Sequence, residues 1–242
     1  MDVFDRKAIK PMLISEMIDP FDSPDYIYEL KLDGLRCVSY FDHNGCDLRN
    51  KRDIRLLPRF PELKDIYKNI KHKCILDGEL ITMVNGAPDF HNLQRRSVLT
   101  DPFKIELSAG KTPATFVAFD VLYFDNKLVT DRPLIERKML LEECFSSEDS
   151  LISYTRYIEQ HGVKLFELAK QQNLEGVVAK RKNSLYWFGK ETKDWSKIKL
   201  MKDSDYVLLG YILKPENMTS FILGQYNGVE LIYKGHITLR CV

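Results

Sequence analysis

Short apolar runs rich in β-branched and aromatic residues dominate the chain, with stretches of helical periodicity between them. Tyr26–Leu30 and Leu35–Phe41 read as strands on either side of a break at Asp33-Gly34, and Asp42–Gly45 carries a hairpin turn signal. Further strands are predicted at Cys46–Asn50, Cys74–Met83, Ala114–Phe124 and Gly176–Arg181. Helical spacing occurs around Pro61–Ile70, at Phe90–Val98 and at Leu134–Phe145. A further helix is predicted over Val163–Gln172, with Val163, Phe166, Leu168 and Ala169 on or near its apolar face. Strands and helices mix without regular βαβ alternation, which predicts an α+β fold. After Lys202 the texture changes: Tyr206–Leu213, Thr219–Tyr226 and Val229–Ile237 are strand-like runs joined by turn-forming segments. A boundary near Asp203 therefore divides a larger domain, 1–202, from the beginning of a small all-β module, 203–242.

Composition narrows the class. The 242 residues are 44% hydrophobic, enough for a sizeable core, and the 12 glycines and 10 prolines exclude collagen-like or disordered chains. No apolar run reaches the ~20 residues of a membrane helix. Five scattered cysteines without a CxxC pair argue against a disulfide framework or a thiolate zinc site, so a reducing, cytoplasmic setting is expected. With 36 Lys and Arg against 35 Asp and Glu, the chain is nearly neutral and carries no cationic coat. Yet Lys180, Arg181, Lys182, Lys190, Lys193, Lys197, Lys199 and Lys202 crowd one segment. Such a run is either a solvated face or a surface for a polyanion.

Several motifs carry no chemistry. Gly110-Lys111-Thr112 resembles the end of a phosphate-binding loop, but Ile105 stands where its first glycine is needed, so a turn is expected. No GxGxxG, GxSxG or HExxH is present, and the five histidines are isolated. The stretch Glu29-Leu30-Lys31-Leu32-Asp33-Gly34-Leu35-Arg36 is different. At ~6% usage per residue, K-x-D-G-x-R arises by chance in about one window in 10^5. A strand ending at Lys31 projects that lysine into a cleft with Glu29 on the same face. Cations such as Arg36 and a metal would lower the lysine's pKa and attract phosphate. The alternative is a surface Lys-Asp pair beside a turn.

Glu79, in Leu76-Asp77-Gly78-Glu79-Leu80, and Glu175, at the head of Glu175–Lys180, are acids at apolar strands. Buried carboxylates are costly unless paired or bound to metal, and two can hold Mg²⁺ through oxygen. Phe119 offers either aromatic binding surface or plain core. Lys197 and Lys199, two apart, share one strand face suited to a triphosphate.

In this order and spacing, these stretches resemble the nucleotidyltransferase motifs of the ATP-dependent DNA ligases, from Pro11-Met12-Leu13 to Lys199. The opening residues, Phe90–Arg96 and Tyr186–Lys199 are most similar to the short bacterial ligases of the end-joining type. The resemblance implies an adenylation domain, related to ATP-grasp folds, of antiparallel sheets with flanking helices, followed by a truncated all-β OB-fold. It implies that Lys31 is the adenylated, catalytic residue. It further implies that Glu29 meets the adenine edge, Arg36 the ribose or nick, and Arg49 the ATP or nick phosphate. Glu79 would contact ribose and metal, Phe119 would stack on adenine, Glu175 would bind metal, and Lys197 and Lys199 would meet the α-phosphate. Leu32 completes the expected ATP-binding set. Arg49, Lys51, Arg52, Arg95, Lys180 and Lys182 are the expected DNA contacts.

ATP and Mg²⁺, with Mn²⁺ as substitute, are the implied cofactors, and nicked duplex DNA is the implied partner of a monomer that does not enter membranes. Two departures stand out: Glu191 occupies a usually basic position, and only three of five OB-fold strands precede Val242. The latter leads to the expectation of slow adenylation and poor nick sealing. An RNA ligase, a capping guanylyltransferase and a non-catalytic nucleic-acid-binding module are the rival assignments. Capping enzymes usually carry Asp-Gly where this chain has Glu175-Gly176, and RNA ligases more often have Asn at Arg36.

Overall fold

The computed structural model describes residues 2–84, 86–200 and 205–240. Its strands are β1 (Leu13–Met17), β2 (Tyr26–Leu30), β3 (Leu35–Asp42), β4 (Gly45–Asn50), β5 (Cys74–Val84), β6 (Ala87–Pro88), β7 (Ala114–Phe124) and β8 (Lys127–Leu128). They continue with β9 (Ile152–Tyr154), β10 (Ile158–Glu159), β11 (Gly176–Arg181), β12 (Glu191–Lys199), β13 (Val207–Lys214), β14 (Met218–Asn227) and β15 (Glu230–Arg240). The α-helices are α1 (Val3–Arg6), α2 (Phe90–Ser97), α3 (Pro102–Lys111), α4 (Leu134–Cys144) and α5 (Gly162–Gln171), with a 3₁₀ segment at Pro61–Asn69. The fold is the expected α+β type, in two compact units, Met1–Leu200 and Met201–Val242. The boundary expected near Asp203, like Lys202, lies outside the described residues.

Two sheets build the larger unit. One runs β1-β12-β11-β2-β10; the other runs β4-β3-β5-β7-β8, with β6 on β5 and β9 on β7. Most pairings are antiparallel, but β1–β12 and β7–β9 are parallel. The first joins residues far apart in sequence, and such long connections are what parallel pairing needs. Ile27 and Trp195 from the first sheet meet Val38, Tyr40 and Ile75 from the second in one core. The far side of the second sheet packs Phe41, Leu76 and Phe116 on the 3₁₀ segment and parts of α2 and α4. The far side of the first sheet packs Tyr28, Val177, Ala179 and Ile198 on α5.

Local chemistry explains the joints. Asp42 Oδ1 accepts from the N–H groups of Asn44 and Gly45 at 2.8 and 3.1 Å, closing the β3–β4 hairpin as an Asx turn. Asp89 and Asp101 cap α2 and α3, and Pro102 opens α3 where no intrahelical N–H is required. Gly110 and Lys111 end that helix instead of lying in the expected turn. On α5 the core-facing residues are Leu165, Phe166 and Ala169, while Val163 and Leu168 are exposed. The apolar stripe is thus rotated from the predicted one by roughly one position, following Gly162, whose missing Cβ lets Tyr28 approach.

The smaller unit is a three-stranded antiparallel sheet, β13-β14-β15, consistent with part of an OB-fold. Glu216 and Asn217 take positive φ at its first turn, and Asn227-Gly228 makes its second.

Candidate active site

The cleft sits between the two sheets, where strand alternation sends Glu29 from β2, Val178 and Lys180 from β11, and Trp195 and Lys197 from β12 to one face. Lys31 follows β2, and its N–H donates to Gly176 O at 2.9 Å, so the ladder holds the lysine in line with Glu29. The opposing wall is Arg36 on β3, Glu79 on β5 and Phe119 on β7. About 460 Å³ of space, open to solvent, lies between them.

Lys31 Nζ donates to Glu175 Oε2 at 2.6 Å, and Lys199 Nζ lies 2.8 Å from Glu175 Oε1. Burial alone would raise the Glu175 carboxyl, but the two lysines outweigh it and hold it below its ordinary value. Glu175 sits at the head of β11, half-buried, and not inside the strand. Lys197 shares the face of Lys199 and pairs in register with Val178. Glu79 is also half-buried, and burial pushes its carboxyl up to about 8 against the opposing pull of Arg36 and Lys31.

Arg36 is anchored by a bidentate pair to Asp77, Nε to Oδ1 and Nη2 to Oδ2, both at 2.6 Å. Tyr186 Oη donates to the same buried carboxylate at 2.6 Å. Nη2 also donates to Met12 O, which leaves Nη1 as the donor for a ligand. The guanidinium lies 4.7 Å from the centroid of Phe119, and Trp195 meets the same ring edge-on at 6.1 Å. Phe119 is therefore not plain core: it is half-buried and lines the cleft.

Glu29 is buried, and its Oε2 accepts from Thr155 Oγ1 at 2.8 Å and Lys180 Nζ at 2.9 Å. Lys138 Nζ lies 2.9 Å from Oε1 as an ion pair outside hydrogen-bond angles. Lys180 thereby departs from its expected place among the DNA contacts. It is 2% exposed, points into the cleft, and burial pushes its pKa down despite the Glu29 carboxylate. The basic run is not one face either. Lys197 and Lys199 turn to the cleft sheet, Arg181 pairs with Asp194, Lys182 with Glu159, and Lys193 with Glu16. Alternation along β11 and β12 sends adjacent charges to opposite sides.

Of the remaining expected residues, Leu32 lines the cleft, and Arg49 is braced by Asp47 and Asp53 at 2.9 Å. Lys51, Arg52 and Arg95 are exposed, as is Glu191 at the start of β12. Asp77, Lys138, Thr155, Val178 and Trp195 were not predicted. Asp77 stood beside Glu79 as a second acid in the same apolar strand, which was a usable signal. Lys138 and Thr155 offer none, since a lysine on a helix and a threonine in a loop are ordinary. Among the described residues no group of three or more His, Cys, Asp or Glu forms a metal cage, and no helix is long and apolar enough to cross a membrane.

The model of the family described as "ATP dependent DNA ligase domain" matches residues 8–199. The chain is 33% identical over 208 residues to the SPbeta prophage-derived DNA ligase-like protein LigB of Bacillus subtilis (strain 168), across 85% of this chain and 73% of that protein. It is 31% identical over 220 residues to the bifunctional non-homologous end joining protein LigD of the same organism, across 84% of this chain but only 36% of that one. In fold it resembles a mycobacterial DNA ligase D solved with ATP and MES, with a TM-score of 0.71 at 23% identity over 98% of this chain and 73% of the other.

Proposed function

The chain belongs to the ATP-dependent DNA ligase family, and from that premise we propose that Lys31 takes AMP from ATP and passes it to the 5′-phosphate of a nick in duplex DNA. The observation that carries this is the position of Lys31 Nζ, between Glu175 at 2.6 Å and the cleft wall of Glu79, Arg36 and Phe119. In the first step a bond forms between Nζ and the α-phosphorus while the bond to pyrophosphate breaks. The amine must first lose a proton, and Glu175 Oε2 is the acceptor within reach. Lys197 and Lys199 place two ammonium groups on β12, one strand beyond β11 from Lys31 and joined to it through Glu175, where charge develops on the phosphoryl oxygens. Phe119 supplies the face for the base, and the free Nη1 donors of Arg36 address the sugar or phosphate beside it. The 3′-hydroxyl of the nick then displaces AMP, completing the seal.

The carboxylates of Glu79 and Glu175 fit Mg²⁺, or Mn²⁺ in its place, because such ions take one or two protein oxygens and complete their shell with phosphate and water. A cation here would favour the ionised form of Glu79, which burial disfavours. When bound, the ion neutralises charge on the triphosphate. Arg49, Lys51, Arg52, Arg95 and Lys182 are the basic residues offered to the DNA backbone. Similarity to an end-joining protein supports a role in double-strand-break repair. The test adds nicked duplex to protein labelled from α-³²P-ATP. Label is expected to leave the protein and appear as AMP-DNA or released AMP, with none on Lys31→Ala. Label that stays on the protein in the presence of the nick refutes the second step.

A further inference from the structure

The inner end of the cleft carries a hydroxyl whose hydrogen-bonding role is fixed on both sides. Thr155 Oγ1 donates its proton to Glu29 Oε2 at 2.8 Å and accepts from Lys138 Nζ at 3.0 Å. A hydroxyl has one proton and two lone pairs. With the proton and one lone pair engaged, Thr155 has a single acceptor site left for a molecule in the cleft. Neither partner lets it rotate. Lys138 has only protons to give, and it is pinned by a further bond to Phe119 O at 3.2 Å. Glu29 has only lone pairs: burial would raise its carboxyl, but Lys138 and Lys180 outweigh burial and hold it ionised.

Thr155 lines the same cleft as Lys31 and Phe119. Glu29 stands two residues from Lys31 along extended backbone, or about 7 Å. The hydroxyl bonded to Glu29 therefore lies away from the nucleophile, toward the end where a base would rest once its α-phosphate is at Lys31. Purine nucleotides differ there at C6, where an amino group donates and an oxo group accepts. An acceptor-only hydroxyl pairs with the first and faces the second with lone pair against lone pair, and a site built to accept a hydrogen bond discriminates against a group that cannot donate one.

We propose that Thr155, fixed as a hydrogen-bond acceptor by Glu29 and Lys138, selects purine nucleoside triphosphates with a 6-amino group over those with a 6-oxo group. The inference rests on the proposed nucleotidyl transfer to Lys31. Lys138 acts through Thr155 and is a positioning residue.

The test measures covalent labelling of the full chain from α-³²P forms of ATP, 2,6-diaminopurine riboside triphosphate, GTP and ITP at subsaturating concentration. Wild type is expected to label from the two 6-amino nucleotides at least tenfold faster than from the two 6-oxo ones. Thr155→Val, which removes the lone pairs, should lower the ATP:ITP rate ratio at least tenfold, and Thr155→Ser should keep it. Lys138→Met removes the donor on one side of the hydroxyl and one of the two cations that hold Glu29 ionised on the other. It therefore weakens both constraints and should lower the ratio with Thr155 still in place, whereas a purely structural role would slow both nucleotides alike. If Thr155→Val fails to fold by thermal melting, the serine and methionine variants decide the matter on the same ratio. An unchanged ratio in Lys138→Met and in folded Thr155→Val, or equal labelling of wild type from ATP and ITP, overturns this inference alone. A wild type labelled by none of the four overturns the proposed transfer and this inference with it.

Discussion

Burial changes the protonation of Glu79 in the cleft. The carboxyl is lifted to about 8, so near pH 7 the folded protein binds a proton there that the unfolded chain, near 4.5, does not. Its contribution to stability is fully present below the unfolded value and is lost as pH rises through about 8. Urea midpoints should therefore fall between pH 6 and pH 9 in the wild type, and Glu79→Gln should remove part of that fall. Identical pH dependence in the two proteins would contradict the assignment. Lys31, Glu79, Glu175 and Phe119 were legible in the sequence because each lies in a short, unusual local pattern. Thr155 and Lys180 were not, because their cleft role depends on Glu29, 126 and 151 residues away. No local pattern encodes a contact at that distance, and a buried lysine in a basic run is indistinguishable from an exposed one until its strand is phased.

At the level of elements, the register of β2, β11 and β12 sets where Lys31, Glu175 and Lys199 meet. Gly176 is the tight point: its φ is +142°, and a Cβ there would stand 2.1 Å from Ile198 O. Gly176→Ala should cost about 2–4 kcal/mol in chemical denaturation and impair adenylation, since Gly176 O receives the Lys31 N–H. Gly110→Ala meets nothing within 4 Å in helix α3. It should be neutral or stabilising by about 0.5–1 kcal/mol, so the pair separates a packed glycine from a tolerated one in the same assay. The strands were readable because Tyr26–Leu30 and Gly176–Arg181 are short runs rich in aromatic or β-branched residues, buried at most positions and not alternating. The α5 stripe was misphased because Val163 and Leu168 are as apolar as the residues that pack, and only Tyr28 against Gly162 fixes the rotation.

Across the whole molecule, near-neutral net charge conceals local sorting. Lys51, Arg52 and Arg95, around β4 and α2, reach solvent, whereas Lys180 is enclosed in the cleft against Glu29. DNA affinity should fall with salt, and Lys51→Ala or Arg52→Ala should each reduce the slope of log K against log salt by about 1. Lys180→Met should leave that slope unchanged, because its ammonium is spent on Glu29. A slope lowered as much by Lys180→Met as by Lys51→Ala would restore Lys180 to the DNA surface. The roles of the other cleft residues all depend on Lys31 becoming covalently bonded to AMP. Peptide mapping by mass spectrometry after incubation with ATP and Mg²⁺ tests it most directly. The AMP adduct is expected on the peptide carrying Lys31 and on no other lysine; an adduct on a different lysine, or none on a folded protein, would contradict it.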